Sequence, residues 1–295
     1  MTTPVMTSHL PTLLLREWMQ HQRGWLIAAL APPLLFLALM LIPKATVQGL
    51  PSEHLELTAM TVMAISAVVV YGICLLVGMF QLPGLARRDV QDRSIEFWLS
   101  LPGRPSESVG ATVLAHAWLA PLGGLLIGAV LGLPIAMAVL AKQQGLSAVW
   151  SVAWGPVLAL ALPLLLRAVA GSLLMLLWLA PAILTLMAAS AWLKRLGVPV
   201  VLVGGTAAVA ILHKVYDIDW PLWALQGLNE RISLALIDNK EALMETLQSD
   251  GSTWLWMAQD LGRAVSALAS LQFLGWAVVS AAAFTLVVMK RARAG

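Results

Sequence analysis

This chain has little that suits a water-facing surface. Charged residues make up only 11% of it, against about 25% in ordinary soluble domains. The single cysteine, Cys74, lies inside an apolar run, so no intramolecular disulfide can form. No glycine is followed by lysine and no Leu-Ser-Gly-Gly occurs, so the chain carries neither of the loops that would bind ATP. H-E-x-x-H and G-x-S-x-G are missing as well, and no carboxylate pair falls inside an apolar run, which argues against an intramembrane hydrolase. A net charge of +3 is too small to suggest nucleic acid as a partner. The five histidines, His9, His21, His54, His116 and His213, are scattered, and their spacing predicts no metal site.

What remains is apolar, at 60% of residues. Cutting the chain at every charge leaves runs at 24–43, 57–86, 108–141, 143–166, 168–193, 196–213 and 264–289. Most exceed the roughly 20 residues a helix needs to cross a bilayer. An all-α, polytopic membrane protein in a single domain follows. Pro32 and Pro33 blur any cleavage pattern after the Arg16 and Arg23 leader, so the first run reads as a retained span rather than a signal peptide.

Charge bias sets the number of crossings. Six spans, at about 24–43, 57–83, 108–140, 163–192, 197–215 and 265–289, place both termini on the cytoplasmic side of a bacterial inner membrane. The same side then holds Arg16, Arg23, Arg87, Arg88, Arg93, Arg104, Lys194, Arg195, Lys290, Arg291 and Arg293, as the positive-inside rule asks. Making 143–166 an extra span would put Lys194, Arg195 and the basic tail outside. In the six-span reading, Trp150 and Trp154 sit at headgroup depth and Pro156 bends the entry to the fourth span. Arg167 snorkels to the outer boundary on its apolar stem. Residues 217–263 form an outer helical segment whose Leu225, Leu228, Ile232 and Leu236 share a face. Gly124, Gly128 and Gly132 fall on one face of the third span, for helix packing or a dimer seam. His116 reads as a helix-packing residue.

One stretch breaks the apolar pattern. "ARRDVQDRSIEFWLSLPGRPSES", residues 86–108, gathers four arginines and four acids around Phe97 and Trp98. Between Arg88 and Ser100 it has no Gly or Pro. Asp89 with Arg93, and Arg93 with Glu96, are spaced as helical ion pairs, and Pro102-Gly103 stops the helix sharply. The spacing predicts a short helix over about 88–101, with aromatics against the membrane surface and charges toward the cytosol.

"DVQDRSIEFWLSLPGRPSESV" resembles the first intracellular loop of the ABC-2 type permeases of ABC transporters, where an Asp-Arg-Ser-Ile-x-Phe-Trp-x-Ser-Leu-Pro run forms the coupling helix against the ATPase. "LREWMQHQRGWLIAALAPP" is similar to that family's amphipathic elbow helix, here at 8–23, and "LWLAPAILTLMAASAWLKR" to its fourth span. The matches cover roughly a quarter of the chain. The resemblance implies that Asp92, Arg93, Ser94, Ile95, Phe97, Trp98, Ser100, Leu101 and Pro102 form the coupling element, with Asp89 and Glu96 on the same helix, and that Arg16, Glu17 and Trp18 lie on the elbow. Glu96 stands where an aliphatic residue is common, and Thr112 where a lysine often opens the third span. The resemblance further implies two cytoplasmic ATPase subunits holding ATP and Mg, a second copy of this chain or a close homologue, surrounding lipid, and no cofactor or catalytic residue in the chain itself. Because the sequence offers no buried acid, export of a hydrophobic or amphipathic compound is expected. A non-transporting anchor that recruits a cytoplasmic protein through the same loop is the alternative. An ion-driven carrier is disfavoured, since only His116 offers a relay group inside a span.

Overall fold

The computed structural model describes residues 9–43, 54–91, 104–248 and 251–293. Of these, 92% are helical, and no strand occurs among them. Apolar stretches of this length leave few alternatives, because in lipid each backbone N–H and C=O must find its partner within its own segment.

Among the described residues, five helical stretches are long and apolar enough to cross a membrane. The first is α1, Leu10–Met40, and the second α2, Leu55–Gln91. Next comes α3, Pro105–Gln144, which widens into a π-helical turn at Ala115–Leu119. Pro121 supplies the reason: it has no N–H for the carbonyl four residues back, and the Ala120 N–H reaches instead to the Ala115 oxygen. A short α4, Leu146–Ser151, follows the positive-φ Gly145 and leads into α5, Trp154–Leu193. Forty residues at about 1.5 Å each make α5 roughly 60 Å long, about twice a hydrocarbon core.

The fourth apolar stretch runs from Trp154 to Tyr216 without losing helical character, but it is not straight. Lys194 takes a left-handed φ of 55°, and Gly197 lies so close to the Ala189 carbonyl that a Cβ could not fit. The chain therefore turns back on the end of α5 and continues as α6, residues 197–216, with Val200, Leu202, Val203, Ile211 and Val215 exposed. Three shorter helices follow: α7, Trp220–Leu234; α8, Lys240–Gln248; and α9, Thr253–Ser266, capped by the Ser252 hydroxyl, which accepts from the Leu255 N–H. The last stretch, α10, Leu271–Ala292, is capped in the same way by Ser270.

Helices α2 and α3 form the most intimate pair. Gly124, Gly128 and Gly132 face α2 so closely that a Cβ on Gly128 would lie 2.7 Å from the Ser66 carbonyl oxygen, and one on Gly132 2.9 Å from the Met63 Cα. Ser66 donates to the Gly128 carbonyl oxygen at 2.8 Å. α5 packs across this pair with two apolar clusters. One holds Leu82, Val109, Ile183, Met187 and Val287, the other Val62, Ile135, Val139 and Val157. Ser190 on α5 donates to the Pro83 carbonyl oxygen at 2.6 Å.

Several expectations change. The elbow over 8–23 and the first span over 24–43 are one uninterrupted helix from Leu10 to Met40, because Gly24 alone is too weak a breaker. α5 starts at Trp154 rather than 163, so the expected interfacial lead-in is the first part of the helix itself. The final apolar helix starts at Leu271 rather than 265, since α9 continues through Ser266 and the chain re-caps at Ser270. The three glycines close a seam within the subunit and are not a surface for a second copy.

Candidate functional site

Among the described residues, two clusters of buried charged side chains interrupt the apolar packing. The first joins α1, α2 and α3. Glu17 is 3% exposed and His116 is fully buried. The Thr112 hydroxyl donates to Glu17 Oε1 at 3.0 Å, and Arg16 binds the same oxygen. The other carboxylate oxygen, Oε2, lies 3.3 Å from His116 Nε2 and 3.6 Å from His21 Nδ1. The far nitrogen of His116, Nδ1, is 3.1 Å from Gln81 Oε1 on α2. The two imidazoles meet edge to face with centroids 4.5 Å apart, and Trp25 lies beside both.

Local sequence builds this arrangement. Glu17 and His21 are one helical turn apart on α1, as are Thr112 and His116 on α3, so each pair presents one polar face. The π-turn at Ala115–Leu119 carries His116 toward α2, and it fits only because Gly78 has no Cβ to strike the His116 carbonyl. Histidines far apart in sequence thus converge, and the buried acid that the sequence did not reveal is Glu17. The signals were present as His116 five residues before Pro121, and as Gly78 on the preceding helix. Neither points to a partner on α1.

The second cluster ties α5 to the segment before the last helix. Arg167 and Asp260 are both fully buried, with Arg167 Nε donating to Asp260 Oδ2 at 2.7 Å. Arg167 Nη1 donates to the Ala235 carbonyl oxygen at 2.9 Å. Asp260 also accepts from the Asp238 and Asn239 backbone N–H groups at 3.1 and 2.7 Å. Gly171, one turn beyond Arg167, lets residues 235–236 approach. Arg167 therefore does not snorkel to an interface; it is locked to a carboxylate 93 residues away. Residues 217–263, expected as an outer segment, are accordingly not one helix lying on a surface. They are α7, α8 and α9 folded around Asp260, and of the expected greasy face only Leu228 is buried.

Of the residues expected to contact an ATPase, Asp89 falls in the last turn of α2, which runs on to Gln91. Asp92, Arg93, Ser94, Ile95, Glu96, Phe97, Trp98, Ser100, Leu101 and Pro102 lie outside the described residues. Trp18 lies on α1 next to Glu17, half exposed and 6.0 Å from Trp25. The Glu17 cluster thus sits among the helices that flank residues 92–104: His116 and Thr112 are in the first turns of α3, and Gln81 is in the last turns of α2.

Comparison with protein-family models, with curated proteins and with solved structures returns no match to this chain.

Proposed function

We propose that the chain is the transmembrane subunit of an ATP-driven ABC transporter of the ABC-2 type. It works with two cytoplasmic ATPases and with a second copy of itself or a close homologue. One observation carries this reading: the Asp-Arg-Ser-Ile-Glu-Phe-Trp-Leu-Ser-Leu-Pro run at 92–102 joins the ends of α2 and α3. Those two helices share the glycine seam, so a push on the segment between them would move both as one body. Coupling requires that the segment touch the ATP-bound and ATP-free partner differently, since a ligand shifts an equilibrium only by its differential affinity.

The reversal at Lys194 supports six crossings, because it divides the 63-residue stretch into α5 and a return arm long enough to span again. Lys194 and Arg195 then fall at a cytoplasmic turn. An apolar groove of about 320 Å³ between α1, α2 and α3, lined by Pro32, Pro33, Phe36, Val62, Val69 and Val139, supports a hydrophobic or amphipathic cargo.

The reading is tested by searching beside this reading frame for one that encodes a Walker-A ATPase and co-purifying its product with the chain. Arg93→Glu is expected to abolish stimulation of ATP turnover without lowering the amount of chain in the membrane. Stimulation that survives the reversal, or an ATPase that does not co-purify, overturns it and favours the anchor.

A further inference from the structure

The Glu17 cluster brings three side chains of metal-ligand type together in a largely buried place. His116 is held from both sides, with Gln81 Oε1 3.1 Å from its Nδ1. Its Nε2 faces Glu17 Oε2, an acceptor, at 3.3 Å. That contact is closed either by a proton on Nε2 or by a metal ion that both atoms ligate, and a third donor, His21 Nδ1 at 3.6 Å from the same oxygen, favours the ion. We propose that Glu17, His21 and His116 form a three-ligand site for a divalent transition-metal ion of the zinc class.

Geometry supports the ion. Ligands about 2.0–2.1 Å from a tetrahedral zinc stand roughly 3.4 Å from one another. Glu17 Oε2 lies 3.3 Å from His116 Nε2 and 3.6 Å from His21 Nδ1, and the three donor atoms all fall within 4.8 Å. His21 Nδ1 also touches the Glu17 carbonyl oxygen at 3.1 Å, so loading asks the ring to turn from that oxygen to the carboxylate beside it. The surroundings match those of a ligating histidine, whose second nitrogen is normally held by a carbonyl or carboxylate: Gln81 Oε1 does this for His116. Thr112 and Arg16 occupy the other oxygen of Glu17 and fix the direction of Oε2. The buried indole N–H of Trp25, beside both rings, has no hydrogen-bond partner among the described residues, and a metal-bound water would accept from it.

Charge selects the class of ion. Arg16 pairs with Glu17, and Arg291 on α10 lies close enough to feel both. One carboxylate among two guanidinium groups cannot hold calcium or magnesium, which need several oxygen ligands. Two neutral imidazoles still favour zinc, copper or nickel. Occupancy would clasp α1 to the π-turn of α3, beside the start of the segment that enters the proposed ATPase contact.

The test is a zinc titration of the full chain in detergent, stripped with a chelator and competed against a chromophoric indicator, with cobalt absorption as a second readout. One tight ion per chain is expected, with the visible bands of four-coordinate cobalt. His21→Ala, at a partly exposed position, should lose the tight site while keeping the zinc-free melting temperature of the wild type. Gln81→Leu should weaken binding about 10–100-fold. His213→Ala, at an exposed His–Asp pair, should change nothing. Failure of the folded wild type to compete for zinc, equal binding by His21→Ala, or loss of binding in His213→Ala overturns the proposal. No ATPase enters the titration, so its outcome is independent of the transport reading.

Discussion

Arg167 shows most sharply how one residue changes meaning between sequence and fold. An arginine 13 residues into an apolar helix reads as a snorkelling cation, and in this fold it is fully buried against Asp260. Removing one partner of such a pair leaves a charge in the interior with nothing to balance it, at a cost of about 3–5 kcal/mol. Asp260→Ala also strips acceptors from the Asp238 and Asn239 backbone, so it is expected to fall at the upper end of that range. Arg263→Ala should shift stability by less than about 1 kcal/mol, because Arg263 is half exposed and only 3.7 Å from its nearest carboxylates. Thermal denaturation of the solubilised chain distinguishes the two. A milder effect of Asp260→Ala than of Arg263→Ala would mean that the pair does not hold α7–α9 to α5.

Among the elements, the α2–α3 seam decides which surfaces are left for partners. Its glycines lie on one face by spacing alone, but spacing cannot say whether that face meets the same chain or another copy. Here it meets α2, at backbone distances that only glycine permits. Gly128→Val is therefore expected to destabilise by about 1–3 kcal/mol through overpacking. Gly123→Ala, with nothing within 4 Å of the added carbon, should be neutral. The comparison is read from melting temperatures in detergent; equal effects at both positions would remove the seam as the reason these two helices move together. The start of α2 and the ends of α1, α5 and α10 were legible to within a turn, whereas the end of α2 and the start of α5 were each missed by more than two turns. The junction expected near residue 23 does not exist, because the change there is in polarity and not in helix-forming tendency.

For the molecule as a whole, the proposed topology makes a direct prediction about accessibility. Cys74 is the only cysteine and is buried, so an introduced thiol can be read against a low background. A cysteine at Gln248 should react with an impermeant reagent from outside intact cells, and one at Ser106 only after permeabilisation. Reversed accessibility would place residues 92–104 away from the cytosol and end the ATPase reading. The five apolar stretches and the turn at Lys194 are compatible with this arrangement, and sidedness rests on the distribution of arginine and lysine.

The sequence by itself determined the class of the protein. Apolar runs of this length have one low-energy backbone solution in lipid, and that solution depends on composition rather than on neighbours. It also marked residues 86–108 as the only long charged stretch before residue 214, since charge is written in the residues themselves. Only the tertiary structure decided which polar groups meet. Glu17 with His116, and Arg167 with Asp260, are brought together across 99 and 93 positions by helix crossings and by a π-turn that fits beside Gly78. Such pairings have no local signature, because a buried charge is made tolerable by a partner on another helix and not by the residues beside it in the chain.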